Sequence, residues 1–289
     1  IMSSDWSSDV CSSDLLSLKV NTITTKGIDI NSYYSDKKLR LQSLNLHRPE
    51  IVYRIFTQLL SNKKKRDFKL ENIDFYPAVS RFSKSLQIDS IMFDQAKITL
   101  ERKNNDSINK LSLDNISGEI SRFSIDSIAS DSTKKKLYSE NVILKINDFR
   151  RITKDSLYEF SVEEIALSYS DSLVYLYNYR YKPRYDRFRY GRMKGFQIPV
   201  YNVEGQNIEL DGFNIEDLIE NQQVKSRKLL INNLYLNVFK DRRLPLNTDR
   251  YPPMPQENIK NLGVYINFDS IQVQNSEIEY EDYGPNSLQ

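Results

Sequence analysis

The sequence repeats one pattern of alternating apolar and polar residues, and this repeat narrows the possible folds more than any other feature. Residues 86–101, LQIDSIMFDQAKITLE, match residues 266–281, INFDSIQVQNSEIEYE, without a gap, and residues 41–53, LQSLNLHRPEIVY, fit the same template. Shorter versions occur at residues 70–75, 162–169 and 231–236. Because alternation with a period of two is typical of β-strands, we expect a mostly β chain in which one supersecondary unit recurs.

A change of parity inside the repeat predicts a bulge. Ile88 and Ile91 are three residues apart, so a straight strand would place them on opposite faces. One extra residue at Asp89-Ser90 returns both side chains to the same face and bends the strand. The repeat therefore predicts curved strands that keep their apolar side chains on one side.

The second half of the repeat predicts a return strand. Polar residues at 94–97 have the composition of a turn, and Ile98 and Leu100 resume the alternation. The predicted fold is an elongated, curved antiparallel sheet of repeated bulged hairpins, with few short helices. Spacing between copies is irregular, which indicates a meander with insertions rather than a solenoid of fixed period.

The apolar stripe of the repeats has two interpretations. It forms either the filled core between two sheets or the open inside of a trough that takes acyl chains. The candidate groove residues are Ile88, Ile91, Phe93, Ile98, Leu100, Ile231, Leu234, Leu236, Phe268, Ile271, Val273 and Ile278.

Loops and short helices are expected between the repeats. Charge and proline content predict loops at 61–67, 130–136, 175–196, 241–245 and 251–255. Residues 77–83, 215–222 and 257–262 could each form about two turns of helix, a length that depends on tertiary contacts.

A segment rich in tyrosine and arginine, YLYNYRYKPRYDRFRYGRMKGF at 175–196, is the sharpest local anomaly. Its tyrosines at 175, 177, 179 and 181 alternate as if on one strand face. Its candidates for binding anionic groups are Arg180, Lys182, Arg184, Arg187, Arg189 and Arg192. Lipid phosphate, lipopolysaccharide, glycan or single-stranded nucleic acid would fit this chemistry, but an exposed hairpin whose tyrosines cover a neighbouring loop is the simpler interpretation.

Composition removes several classes of chemistry. Cys11 and His47 are the only cysteine and histidine, so the chain lacks the residues needed for thiolate zinc sites and for most Ser-His-Asp arrangements. Neither a P-loop nor a dinucleotide-binding glycine motif is present. The net charge of +2 gives no reason to expect nucleic acid as a partner. We expect no enzyme activity, no cofactor and no metal.

The first fourteen residues differ from the rest of the chain. Ser-Ser-Asp occurs three times there, together with the only Trp and the only Cys. The stretch resembles a translated sequencing adapter, so we expect residues 1–14 to be an artefact. Residues 15–289 are then expected to form a single elongated β-rich region, incomplete at both ends.

At its repeats the chain resembles the AsmA family of envelope proteins, which is related to TamB-like proteins. Residues 41–53, 86–101 and 266–282 carry the resemblance, together with LYLNVFKDRRLP at 234–245. It implies an N-terminal inner-membrane anchor, a periplasmic β-rich body with an apolar groove, and a part in phospholipid transfer or outer-membrane maintenance. Phospholipid or another acyl lipid, and other envelope proteins, are the implied partners. A β-rich glycan-binding or glycan-processing protein is the rival interpretation.

Overall fold

A computed structural model describes residues 15–56, 76–104, 107–126, 138–215, 217–218, 223–248 and 265–284. The described chain is mostly β, which confirms the predicted fold class. Hydrogen bonds join 13 strands into one mixed sheet, and three short helices accompany it. The first fourteen residues, and the loops predicted at 61–67, 130–136 and 251–255, lie outside the described residues.

The elements follow one another along the chain as strands with few helices between them. The strands are β1 (Leu15–Lys19), β2 (Thr22–Lys26), β3 (Lys38–His47), β4 (Glu50–Phe56), β5 (Ser85–Asn104), β6 (Ser107–Asp126), β7 (Asn141–Ile152), β8 (Tyr158–Ser168), β9 (Leu173–Pro183), β10 (Pro199–Asp211), β11 (Gln223–Asp241), β12 (Tyr265–Gln274) and β13 (Glu277–Tyr283). The helices are α1 (Ile30–Asp36), α2 (Tyr76–Val79) and α3 (Arg187–Lys194).

Consecutive strands from β5 to β11 are neighbours in the sheet, as in a meander. Six short strands follow one another in three pairs, β1 with β2, β3 with β4 and β12 with β13, and each pair takes the place of one longer strand. Strands β1 and β2 run antiparallel to β4 and β3, respectively. Strands β3 and β4 run parallel to β5, and strands β12 and β13 run parallel to β11. The parallel steps are what make the sheet mixed.

The turn predicted at residues 94–97 is wrong. Strand β5 continues through this stretch, and both of its halves pair with the same strand, β6. The pairing runs from Ser85 opposite Asp126 to Asn104 opposite Ser107. The register shifts between Phe93 and Ile98, where Gln95 has a φ of 50°. The polar residues therefore form a second bulge in one long strand, so the repeat unit is a twice-bulged strand and not a hairpin.

The copies of the repeat at residues 41–53 and 86–101 lie side by side in register. Leu41 pairs with Ile88, and the same parallel offset continues through β3 and β4 to the pairing of Tyr53 with Leu100. These are the positions that the sequence alignment of residues 41–53 with 86–101 makes equivalent. Side chains of matching repeat positions therefore form columns across neighbouring strands.

Contacts divide the chain into two compact units. Unit 1 comprises residues up to Ile146 together with Ser168–Ser170, and unit 2 comprises Asn147–Leu167 and the residues from Asp171 onward. Buried apolar side chains of unit 1 include Ile88, Ile91, Ile116, Ile125 and Val142. In unit 2, Leu157, Tyr158, Tyr190, Val200 and Phe239 form one buried cluster.

The helices agree only in part with expectation. Helix α2 begins within one residue of the predicted start but ends at Val79, and residues 215, 217 and 218 are helical, while 257–262 lie outside the described residues. The loop predicted over 175–196 is instead strand β9 followed by helix α3. Asp186 caps α3 by accepting hydrogen bonds from the backbone N–H groups of Phe188 and Arg189, and Gly195 ends it with a φ of 77°.

A glycine gives space to a buried tyrosine at the centre of unit 2. Tyr179 pairs with Gly205 across β9 and β10, and Gly205 pairs with Leu234 on β11. A Cβ atom added at Gly205 would overlap the ring of Tyr179, which is buried. This position therefore needs glycine for space, and the ring covers the gap that glycine leaves.

Replacing Gly205 by alanine should lower the free energy of unfolding by about 1–3 kcal/mol, because the buried ring must move. In a Tyr179→Ala background the same replacement should cost much less, since the clashing ring is gone. Urea unfolding of the four proteins in this double-mutant cycle measures the coupling. Equal costs in both backgrounds would contradict the close packing described here.

Candidate functional site

Four polar residues lie side by side on adjacent strands of unit 2 and determine which side chains point to each face of the sheet. Asn178, Gln206, Asn233 and Asn275 lie at neighbouring positions on β9, on β10, on β11 and between β12 and β13. We call these four residues the kink line. The three asparagines have φ values of 50°, 52° and 48°, which is a left-handed conformation that asparagine tolerates better than most residues.

Side-chain amides bridge the strands at the kink line, where backbone pairing is interrupted. Asn233 Nδ2 donates to Gln206 Oε1 at 2.5 Å, and Asn275 Nδ2 donates to Asn232 Oδ1 at 3.1 Å. Asn178 Nδ2 donates to Glu163 Oε2 at 2.6 Å. These hydrogen bonds tie together neighbouring strands at the same level of the sheet.

The kink line reverses the parity of side chains in each strand that it crosses. On β9, Val174 is buried and Tyr177 is 45% exposed, whereas beyond Asn178 the odd-numbered Tyr179 is only 5% exposed. The tyrosines of this segment therefore do not share one strand face, and that prediction is wrong. The physical reason is the extra residue at the kink, the same device that the sequence predicted at Asp89-Ser90.

Because cross-strand partners share a face, the register identifies a continuous apolar surface in unit 2. Before the kink line, Ile271 pairs with Leu229, which pairs with Leu210, which pairs with Val174. The next column and those beyond the kink line are Val273–Ile231–Ile208–Leu176, Ile278–Leu236–Val203–Tyr181 and Tyr280–Val238–Tyr201. We call these fifteen residues the apolar wall.

Exposure along the apolar wall increases towards the edge strands β12 and β13. Val174 is buried, whereas Ile271, Val273 and Ile278 are 63%, 53% and 71% exposed. Among the groove candidates of unit 2, Ile231, Leu234, Leu236 and Phe268 are half-buried. The predicted groove residues of this unit thus include three large aliphatic side chains that face open space in the described structure.

The groove candidates of unit 1 are more enclosed. Ile88 and Ile91 are 3% and 7% exposed although they differ in parity, as the predicted bulge requires. Phe93 is half-buried and Ile98 is exposed. The side chain of Leu100 lies outside the described residues, although its backbone pairs with Tyr53 and Leu111. In this unit the first half of the repeat provides core.

Three of the six basic candidates form ion pairs with glutamates on other strands. Lys182 Nζ lies 2.7 Å from Glu204 Oε1, and Arg180 Nε lies 3.9 Å from Glu204 Oε2. The hydrogen bond from Lys182 lowers the pKa of Glu204. Arg187 Nη1 lies 2.8 Å from Glu281 Oε2, and its guanidinium stacks over Phe239 at 4.4 Å.

The remaining basic candidates have different surroundings. Arg184 donates to the backbone oxygen of Ser156, and the guanidinium of Arg189 lies 5.0 Å from the ring centroid of Tyr185. Arg192 is exposed on α3. The six predicted anion-binding residues therefore have different partners, and two of them, Lys182 and Arg187, line one cavity.

A polar cleft opens on unit 2 beside Arg187 and Glu281. The cavity of about 440 Å³ is lined by Lys182, Pro183, Asp186, Arg187, Val200, Asn202, Tyr235, Asn237, Phe239 and Glu281. The sequence predicted Lys182 and Arg187 as anion-binding candidates but not the site as a whole, because its residues come from four strands and one helix start. A further signal was the alternation of polar and apolar residues on β11.

Hydrogen bonds fix the side chains along the outer rim of the polar cleft. Tyr235 Oη donates to Glu279 Oε2 at 2.6 Å, and Asn237 Nδ2 donates to both Glu279 and Glu281. The hydrogen bond from Tyr235 lowers the pKa of Glu279. Both glutamates are thus engaged in hydrogen bonds, and the lowered pKa of Glu279 is the opposite of the raised pKa that keeps a catalytic acid protonated.

Aromatic rings close one end of the same unit. The rings of Tyr158 and Tyr181 are stacked 4.4 Å apart, and Tyr190 from α3 packs edge-on against Tyr158. The backbone N–H of Tyr201 donates to Tyr158 Oη at 3.0 Å. Burial raises the pKa of Tyr181 to about 12 and raises the pKa of Tyr158 well above its usual value.

Comparison of the chain with family models, curated proteins and solved structures gave no match. The resemblance to the AsmA family stays a prediction. In the described part of the chain, no three His, Cys, Asp or Glu residues are grouped in a way that could hold a metal ion. No helix among the described residues has both the length and the apolar character needed to span a membrane.

The tyrosine stack predicts an alkaline limit to stability. An unfolded tyrosine titrates near pH 10, so above that pH the unfolded chain loses protons that the folded chain keeps. The stabilisation is therefore full below about pH 10 and is lost as the pH rises through about 12. Urea unfolding from about pH 9 to pH 11.5 should show this decline.

Tyr181→Phe should make that decline shallower, whereas Tyr34→Phe, at an exposed position, should leave its slope unchanged. An identical slope in Tyr181→Phe and the unmodified chain would contradict the assignment of the effect to the stack.

Proposed function

We propose that this chain is a non-enzymatic part of a cell-envelope protein and that its apolar wall binds the acyl chains of phospholipid or a related lipid. The observation that carries the proposal is the in-register apolar surface of unit 2, which ends in the exposed side chains of Ile271, Val273 and Ile278. Exposed apolar surface arranged in this way is characteristic of binding sites.

The chemistry of the apolar wall suits an acyl chain. Hydrophobic contact is non-directional and scales with the area removed from water, so a long aliphatic chain can lie across several columns without specific polar contacts. Covering one exposed side chain such as Ile278 contributes on the order of 1 kcal/mol. Several such contacts along one acyl chain add up to useful affinity.

The cellular role follows from the resemblance to the AsmA family. A periplasmic body attached to the inner membrane would use the apolar wall as a lipid-transfer groove or as part of a scaffold that maintains the outer membrane. Arginines on the same unit, such as the exposed Arg192, provide charge for a lipid phosphate. Lipid binding by the chain itself is the first step that experiment can examine.

Lipid binding can be measured with purified protein in two ways. Organic extraction followed by mass spectrometry should detect acyl lipid that copurifies with the chain. A phosphatidylethanolamine with a fluorescent acyl chain should bind the chain in solution. The double variant Ile271→Ser with Ile278→Ser should bind it about tenfold more weakly, because two apolar contacts of about 1 kcal/mol each are weakened.

The matched control replaces Gln272 and Gln274 by serine. These exposed residues lie on β12 next to Ile271 and Val273 but point to the opposite face. Affinity should be unchanged in this control. The proposal fails if no lipid copurifies or exchanges in, or if both double variants weaken binding equally.

A further inference from the structure

The polar cleft on unit 2 carries a second inference, which is independent of lipid binding. Its lining combines two lysine or arginine cations, two carboxylates, two amides and a tyrosine. A volume of about 440 Å³ lies within the range of small-molecule sites, roughly 300–1,000 Å³. We propose that this cleft binds the hydroxyl groups of a carbohydrate.

Charge balance in the cleft argues against an anionic ligand. Lys182 is paired with Glu204 and Arg187 with Glu281, so neither cation is left without a counter-charge. The carboxylates of Asp186 and Glu281 also line the cavity and would repel phosphate. A neutral ligand neither competes for the paired cations nor is repelled by the carboxylates.

Hydrogen-bonding capacity in the cleft favours a polyhydroxyl ligand. Asn202 lines the cavity, and its Oδ1 atom is buried with no hydrogen-bond partner. Such an acceptor is costly to leave unpaired. Across the β10–β11 pair, Asn202 lies directly opposite Asn237. Two neighbouring amides supply donors and acceptors together, and vicinal sugar hydroxyls offer the same combination in return.

An adjoining cavity allows for more than one sugar ring. This cavity of about 200 Å³ shares Tyr235 with the polar cleft and is otherwise lined by Asn178, Tyr179, Arg180, Glu204, Gly205, Gln206 and Asn233. Because the two cavities meet at Tyr235, we expect an oligosaccharide rather than a monosaccharide.

Binding can be tested on the full chain by saturation-transfer NMR and isothermal titration calorimetry. The probes are maltotriose, cellotriose and triacetylchitotriose, with inorganic phosphate as the anionic comparison. At least one trisaccharide should bind with a Kd below about 1 mM, and phosphate should neither bind nor compete. The proposal is overturned if none of the three sugars binds at about 10 mM, or if phosphate displaces them.

Asn202→Ala should weaken trisaccharide binding at least about tenfold, because the unpaired acceptor is removed. Asn45→Ala is the matched control, since Asn45 Oδ1 in unit 1 is also buried and unpaired. It should leave the affinity unchanged, as should the Ile271→Ser and Ile278→Ser pair. Unchanged binding in Asn202→Ala, with its fold verified by circular dichroism, would refute the site. Loss of lipid binding in the wall variant would not affect this result.

Discussion

The structure depends on bulges that occur at the same level in adjacent strands. A single bulge would shift the register against its neighbours, but aligned bulges interrupt pairing only locally and restore the same register beyond the bulge, while each strand bends. The left-handed backbone of Asn233 costs about 1 kcal/mol. The hydrogen bond from its amide to Gln206 offsets a similar amount. In this way the chain bends its strands and keeps its apolar residues together.

The aligned bulges also keep the apolar wall and the polar cleft on opposite faces of the sheet. Because parity reverses in all strands together, Leu236 and Val238 continue the apolar side that Leu229 and Ile231 begin. Asn237, between Leu236 and Val238, points the other way and lines the polar cleft. One strand, β11, therefore supplies both the surface proposed for lipid and the site proposed for sugar, and the two can be altered independently.

The sequence was sufficient for the strand content and for the bulge at Asp89-Ser90, because both depend on local alternation. It failed at residues 94–97, where polar residues suit a turn equally well and only pairing with β6 shows that β5 continues. It also failed for the tyrosines around Asn178, whose conformation no composition reveals. Arg187 and Glu281 are too far apart in the chain for their ion pair to be predicted. Helix α3 was predictable in principle, since Asp186 and Gly195 are recognisable end signals.

Matching of equivalent repeat positions across β3–β4 and β5 has a bearing on how such a sheet is built. When residues at equivalent repeat positions pair with one another, a tandemly duplicated segment can add to the sheet without new complementary residues having to evolve. Insertion of a single residue within one strand would instead move the apolar side chains beyond it to the opposite face of the sheet, where they would be exposed to water. Lengthening by whole modules is therefore tolerated, whereas small insertions are confined to the connections.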